Sequence, residues 1–192
     1  MQADEQKLLQ RAGKGDAQAF NALMAQQEGR MYAVALRMCG NHEDAQDCMQ
    51  EAMLRIFRAI SSFKGQSTFS TWVYRITMNT CLDELRRAKR RKATSLDERL
   101  EAGWSPVDTG DSPERHALRS EQRRAIDRAI RLLPEDMRSA IVLRDIQGMS
   151  YEEIAEILSA NVGTIKSRIS RGRSRLREIL SEQAELFDRS DV

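Results

Sequence analysis

The side chains with the clearest chemical role are basic residues that follow a predicted pair of helices near the C-terminus. Ser150 and Glu153 have the S-x-x-E spacing of a capping box, which predicts that a helix begins there. The apolar pattern breaks at Ala160 and Asn161 and then resumes, with no acidic residue until Glu178. The second segment carries the basic residues Lys166, Arg168, Arg171, Arg173, Arg175 and Arg177. A capped helix, a tight turn and a cationic helix predict a DNA-binding helix-turn-helix, and a helical hairpin with a solvated basic face is the alternative.

A second basic cluster ends a predicted helix that begins near Ser67 to Ser70 and runs through Leu85. Its members are Arg86, Arg87, Lys89, Arg90, Arg91 and Lys92. This is more positive charge than a helix C-terminus needs to balance its dipole, so the cluster predicts phosphate binding, with a solvated helix end as the alternative. The loop before the helix, from Phe63 to Phe69, is polar but carries two aromatic residues and a lysine.

The thiols predict neither disulfides nor a metal site. Cys39, Cys48 and Cys81 are odd in number and form no C-x-x-C pair, which favours a reducing cytoplasm. Cys39 and His42 have C-x-x-H spacing without a second ligand pair, so we expect no zinc site. The first residues lack an apolar signal core, and no run is long enough to span a membrane. We therefore expect a soluble, cytoplasmic protein.

Composition and periodicity predict an all-α protein of two small helical domains joined by a flexible linker, the C-terminal one a four-helix bundle with a helix-turn-helix. A short helix is expected over residues 4–14, then one long helix from Asp16 to Gly40. Asn41 is expected to cap the next helix. Asp47, Glu51, Leu54 and Arg58 form a stripe along that helix, which suits a docking surface or solubility alone. The predicted boundaries are 1–92 for the first domain, 93–115 for the linker, 116–185 for the second domain and 186–192 for a tail.

Three segments together resemble the extracytoplasmic-function (ECF) group of bacterial sigma factors, the promoter-recognition subunits of RNA polymerase. Asp44 to Phe57 (DAQDCMQEAMLRIF) is similar to the family's polymerase-binding helix, and Phe63 to Asn79 to its −10 recognition loop and helix. Leu132 to Ala155, with Gly163 to Arg168, is similar to its −35-binding domain. On this resemblance the first domain is sigma region 2 and the second is sigma region 4.

The resemblance also implies the site residues. Polymerase docking would use Asp44, Asp47, Gln50, Glu51 and Leu54. The −10 element would be bound by Phe63, Lys64, Gly65, Gln66, Ser67, Thr68, Phe69, Arg75, Asn79, Arg86, Arg87 and Arg90. The −35 major groove would receive Lys166, Ser167, Ser170 and Arg171, while Arg168, Arg173 and Arg175 would hold phosphates. Trp72 fits either base stacking or core packing.

The implied partners are core RNA polymerase (the clamp helices and flap of its large subunit), promoter DNA and an anti-sigma factor. The resemblance implies no cofactor, no metal, no catalytic residue and no enzymatic activity. A stand-alone helix-turn-helix regulator that binds operator DNA as a dimer is the alternative, but residues 16–92 show no dimerisation face. A DNA-cleaving recombinase would need a nucleophile domain, which the sequence does not show.

Overall fold

A computed structural model describes the backbone of residues 3–94 and 113–188 and the side chains of residues 4–91 and 122–182. Within these ranges the chain is helical and has no strand. The first unit contains α1 (Ala3–Ala12), α2 (Ala17–Ala25), α3 (Glu28–Cys39), α4 (His42–Ala59) and α5 (Phe69–Thr94). The second contains α6 (Pro113–Arg131), α7 (Glu135–Ile141), α8 (Tyr151–Ile157) and α9 (Val162–Asp188). The all-α prediction is confirmed. No helix in the described ranges is long and apolar enough to cross a membrane.

Three predicted helix starts are confirmed by their hydrogen bonds. The Asp16 carboxylate accepts from the second and third backbone N–H groups of α2, at 3.0 and 3.1 Å. The Asn41 side chain accepts from the Asp44 N–H at 2.8 Å and so caps α4. Ser150 and Glu153 form both halves of the predicted capping box. Short polar residues therefore set where these helices begin, as side-chain acceptors do for unpaired helix N–H groups.

The prediction of one long helix from Asp16 to Gly40 is wrong. The structure has two helices, α2 and α3, with the break at Gln26 and Gln27. The Gln27 N–H bonds to the Met24 carbonyl, a tighter bond than an α-helix makes, and its side chain is buried at the corner. No apolar residue lies between Ala25 and Met31. A straight helix would therefore lack the continuous apolar face whose burial stabilises it.

The buried apolar residues of the two units form one cluster. In the first unit α3, α4 and α5 pack together and α1 packs on α2. In the second, Ile165 and Ile169 of α9 are buried, and α9 crosses α7 at Gly172. A Cβ at Gly172 would lie 2.8 Å from the Cγ1 atom of Ile141, so only glycine allows this crossing.

The two units also contact each other, which the sequence did not predict. Nη1 of Arg138 donates to the Met38 carbonyl at 2.8 Å, and Nη1 of Arg131 donates to the Gly40 carbonyl at 2.6 Å. The Tyr74 hydroxyl donates to Gln147 at 3.0 Å. Residues 95–112, which hold most of the predicted linker, lie outside the described residues, as does the end of the predicted tail from residue 189.

Candidate nucleic-acid interface

The solvent-facing side of α9 presents four of the residues predicted to enter the −35 groove. Lys166, Ser167, Ser170 and Arg171 are all exposed, opposite the buried side of the helix. The Ser167 hydroxyl donates to the Thr164 carbonyl at 2.9 Å, which fixes its rotamer. Two cations and two hydroxyls on one exposed helical face can contact base edges in a major groove.

The three arginines predicted to hold phosphates pair with acids in this structure. Arg173 makes two bonds to the Asp145 carboxylate, one of them at 3.1 Å, and this contact raises the pKa of the guanidinium. Arg175 pairs with Glu178 at 2.8 Å. Arg168 lies 3.4 Å from Asp136. Binding of these arginines to DNA would exchange one anionic partner for another.

Tyr151 is a neighbour of the predicted groove residues that sequence reasoning missed. Nζ of Lys166 lies 5.7 Å from the centroid of its ring, and the guanidinium of Arg144 lies 4.7 Å away. Both distances suit cation–π attraction. The available signal was that an aromatic residue directly follows Ser150, the N-cap of α8. The Tyr151 ring therefore lies beside Lys166 on the side of α9 that is predicted to face the groove.

The predicted −10 loop rests on an aromatic cluster. Phe63, Phe69 and Trp72 have ring centroids 5.3 to 6.0 Å apart. Phe69 is buried, and Phe63 and Trp72 are half-buried, so this cluster supports the loop from beneath. Lys64, Gly65, Gln66 and Thr68 are exposed and Ser67 is half-buried.

A cavity lies beside this loop. Its volume is ≈ 390 Å³, and α1 and the loop both contribute to it. Phe63, Lys64 and Gly65 line one side, and Gln10 and Lys14 line the other. The positive φ of Gly65 (69°) allows the sharp turn at its edge. Sequence reasoning missed the contribution of α1, because nothing local indicates which loop a short helix will face.

Four of the predicted −10 residues of α5 lie on its outer surface, whereas Phe69 is buried and Arg75 is half-buried. Asn79 and Arg90 are exposed. Arg86 and Arg87 are exposed and lie 3.4 and 3.7 Å from the acids three residues before them. Arg75 instead pairs with Glu156 of α8 at 2.8 Å, so it belongs to the contact between the two units.

The predicted docking face of α4 combines acids with exposed apolar residues. Asp47, Gln50 and Leu54 are exposed, and Leu54 keeps 49% of its surface accessible. Phe57, one turn further on, is 42% exposed, and the site prediction did not include it. Large exposed apolar side chains beside charges are typical of a protein-binding surface.

The remaining two docking candidates are held by neighbouring polar groups. Glu51 pairs with Arg55 at 2.8 Å, which lowers the pKa of the carboxyl, and Arg55 also reaches Asp83 of α5 at 3.1 Å. Asp44 accepts a hydrogen bond from the Asn41 amide at 2.8 Å. Of these bonds, the one between Arg55 and Asp83 joins α4 to α5.

One group of possible metal ligands converges within the described residues. It consists of Cys39, Cys48 and Cys81, whose sulfur atoms all lie within 4.8 Å of one another. His42 is not part of it, because its Nδ1 is close to the Tyr32 hydroxyl.

Comparison with known proteins identifies the family. The chain matches the family models for Sigma-70 region 2 over residues 23–91 and Sigma-70 region 4 over residues 123–176. It is 36% identical to the RNA polymerase sigma-H factor of Pseudomonas aeruginosa, covering 93% of this chain and 95% of that one. It is 39% identical to the ECF RNA polymerase sigma-E factor of Escherichia coli K12, covering 90% and 92%.

Solved structures are also similar to this chain. The sigma factor RpoE of Bartonella quintana, bound to the anti-sigma factor NepR, matches with a TM-score of 0.71 and 28% identity, covering 84% of this chain and 96% of that one. CnrH, bound to the cytosolic domain of CnrY, matches with a TM-score of 0.67 and 26% identity over 94% and 99%. The chain therefore belongs to the ECF group of the sigma-70 family of RNA polymerase sigma factors.

Proposed function

We propose that this chain binds core RNA polymerase and directs it to promoters by reading a −35 element and capturing the melted −10 strand. The observation that carries the proposal is the solvent face of α9, where Lys166, Ser167, Ser170 and Arg171 stand together on a buried support. The domains would be region 2 (1–92), a linker (93–115) and region 4 (116–185), followed by a tail.

Capture of the −10 strand would use the loop after α4. The cavity of ≈ 390 Å³ is lined by Lys14 and Lys64, whose charges suit a phosphate backbone. Extracting a base costs a few kcal/mol, which stacking and edge hydrogen bonds must repay. The half-buried rings of Phe63 and Trp72 are the aromatic surfaces nearest to this loop.

Polymerase docking would use the exposed side of α4, with Leu54 as the apolar anchor and Asp47, Gln50 and Glu51 around it. A buried anchor with a polar rim is the usual arrangement of a binding hot spot. The role is non-enzymatic: the polymerase supplies the chemistry in the cytoplasm. Since the matched sigma factor RpoE of Bartonella quintana is bound to the anti-sigma factor NepR, we also propose an anti-sigma partner for this chain.

The direct experiment is transcription by purified core polymerase, with and without the protein, on promoters with candidate −35 and −10 elements. We expect initiation at promoters that core polymerase alone does not use. If the protein redirects initiation on none of these promoters, the proposal is refuted. Specific binding by the free protein as a dimer to a palindrome would instead support a stand-alone regulator.

Arg171→Ala tests the −35 assignment. If Arg171 reads a base edge, the variant should lose about 1–3 kcal/mol of binding and relax the preference at one position. Arg175→Ala is the matched control, because a phosphate contact should weaken all sequences equally and reduce the salt dependence by about one counterion. An unchanged sequence preference in Arg171→Ala would remove that residue from the base-reading set.

Leu54→Ala tests the docking face. Leu54 is exposed, so the variant should fold normally while holoenzyme assembly weakens by about 1–2 kcal/mol. Ile126→Ala on α6 removes a similarly exposed side chain far along the sequence and serves as the control. Equal polymerase affinity of the two variants would contradict the docking assignment.

A further inference from the structure

Three helices each place one cysteine at the same point in the first unit. Cys39 is the last residue of α3, Cys48 lies in α4 and Cys81 lies in α5. The tight turn between α3 and α4 brings Cys39 and Cys48 opposite each other, with their sulfurs 3.3 Å apart. Cys48 and Cys81 are buried and Cys39 is half-buried. All three sulfurs lie within 4.8 Å of one another.

The surroundings of the cluster favour negative charge on one of its sulfur atoms, that of Cys48. Hydrogen bonds from the Cys39 and Cys81 thiols lower the pKa of Cys48, and the Arg55 guanidinium lowers it further. The same sharing raises the pKa values of Cys39 and Cys81. Of the three thiols, Cys48 therefore has the lowest pKa.

A second guanidinium lies on the Cys39 side. Burial lowers the pKa of Arg138, and the nearby charges of Glu135 and Cys39 act in the opposite direction. Its Nε atom is buried and has no hydrogen-bond partner within the described part of the chain. Arg55 and Arg138 thus provide two positive charges that can balance additional thiolates.

We propose that Cys39, Cys48 and Cys81 form a three-thiolate site for a soft metal ion of the Cu(I) class. Metal–sulfur bonds of about 2.3 Å in a trigonal plane require sulfurs about 4 Å apart, and the observed cluster is of that size. Thiolates select soft ions such as Cu(I), whereas a structural Zn(II) site takes four ligands. Loading releases the protons of the remaining thiols and leaves the oxidation state of the metal unchanged, so no oxidant or reductant is needed.

The site has a route to solvent. A cavity of ≈ 360 Å³ between α4 and α5 reaches Cys48, and the acids Asp44, Asp47, Glu51 and Glu84 also line it. Arg55, Arg87 and Arg91 line it too, so its walls carry charges of both signs. A metal bound here would tie α3, α4 and α5 together directly beneath the surface proposed for polymerase docking.

The test uses the full-length, reduced protein without oxygen. Cu(I) is supplied bound to a chromophoric chelator, and its transfer is followed by loss of the chelator colour and by the thiolate-to-metal absorption in the ultraviolet. We expect transfer of one Cu(I) per chain, protection of all three thiols from alkylation and a higher melting temperature. The chain has three cysteines, so any thiolate absorption reports this cluster.

Single Cys→Ser replacements at the three positions should each abolish retention of Cu(I) against the chelator. His42→Ala is the control, because it removes the neighbouring C-x-x-H histidine and should retain the metal. Three results would overturn the proposal: retention of Cu(I) by any of the single Cys→Ser variants, loss of Cu(I) from His42→Ala, or displacement of Cu(I) by Zn(II). Alkylation of the unaltered protein decides the question even if a variant fails to fold: a thiol that stays reactive with Cu(I) present excludes the three-thiolate site.

Discussion

Arg138→Met should be among the most destabilising single changes in the second unit. The guanidinium donates to three carbonyls: Met38 at 2.8 Å, Arg131 at 2.5 Å and Leu133 at 3.1 Å. Methionine keeps much of the apolar stem but donates to none of them. Each carbonyl that loses a donor costs about 1 kcal/mol, so we expect a loss of about 3 kcal/mol in the free energy of unfolding. Two bonds lie within the second unit and one joins it to the first.

Urea unfolding followed by circular dichroism measures the total, with Arg128→Met, an exposed arginine on α6, as the control. Arg131→Met isolates the contact between the units, because its guanidinium donates to the Gly40 carbonyl at 2.6 Å. It should cost about 1 kcal/mol. If Arg138→Met loses less than about 1 kcal/mol, the three bonds are not stabilising the fold and the interpretation of this arginine is wrong.

Two further changes test the packing of α9 and the cap of α8. Gly172→Ala should destabilise the protein by about 1–3 kcal/mol, since its Cβ would meet buried Ile141 at 2.8 Å, whereas Gly29→Ala, with open space around it, should be neutral or stabilising in a urea titration. Equal stability of the two variants would contradict the close crossing. The backbone N–H of the N-cap residue Ser150 is the main cause that lowers the pKa of Glu153 below its ordinary 4.5. The ionised carboxylate therefore stabilises the fold above pH 4.5, and this stability is lost as the pH falls through the lowered pKa. Glu153→Gln should therefore lose less stability on acidification than the unaltered chain or Glu152→Gln. Identical acid titrations would show that the charge of Glu153 contributes nothing to stability.

Helix type and helix starts were predictable because the signals are local. Asp16, Asn41 and Ser150 act on N–H groups within three residues, so their spacing carries the information. The break at Gln26 and Gln27 was missed because both residues are acceptable inside a helix. The available signal was the interruption of the apolar face, since residues 26–30 carry no apolar side chain.

The candidate site was predictable where a face of one helix forms it. The exposed residues of α9 follow from the buried positions of Ile165 and Ile169 on the opposite side. Tyr151 and the α1 side of the loop cavity were missed because they come from other elements. The thiol cluster was missed for the same reason: Cys39, Cys48 and Cys81 are distant in sequence and share no motif.

The contact between the two units could not be predicted because it joins residues that are far apart in the sequence: one buried apolar cluster runs through both units, and polar groups bond beside it. Arginine–carbonyl bonds, a tyrosine–glutamine bond and the half-exposed pair of Arg75 with Glu156 join the two units. Each such bond replaces one that water could make, so its net contribution is about 1 kcal/mol. Arg75, proposed to contact the −10 strand, would have to exchange Glu156 for a phosphate. DNA binding by Arg75 would therefore break one of the ion pairs that join the two units.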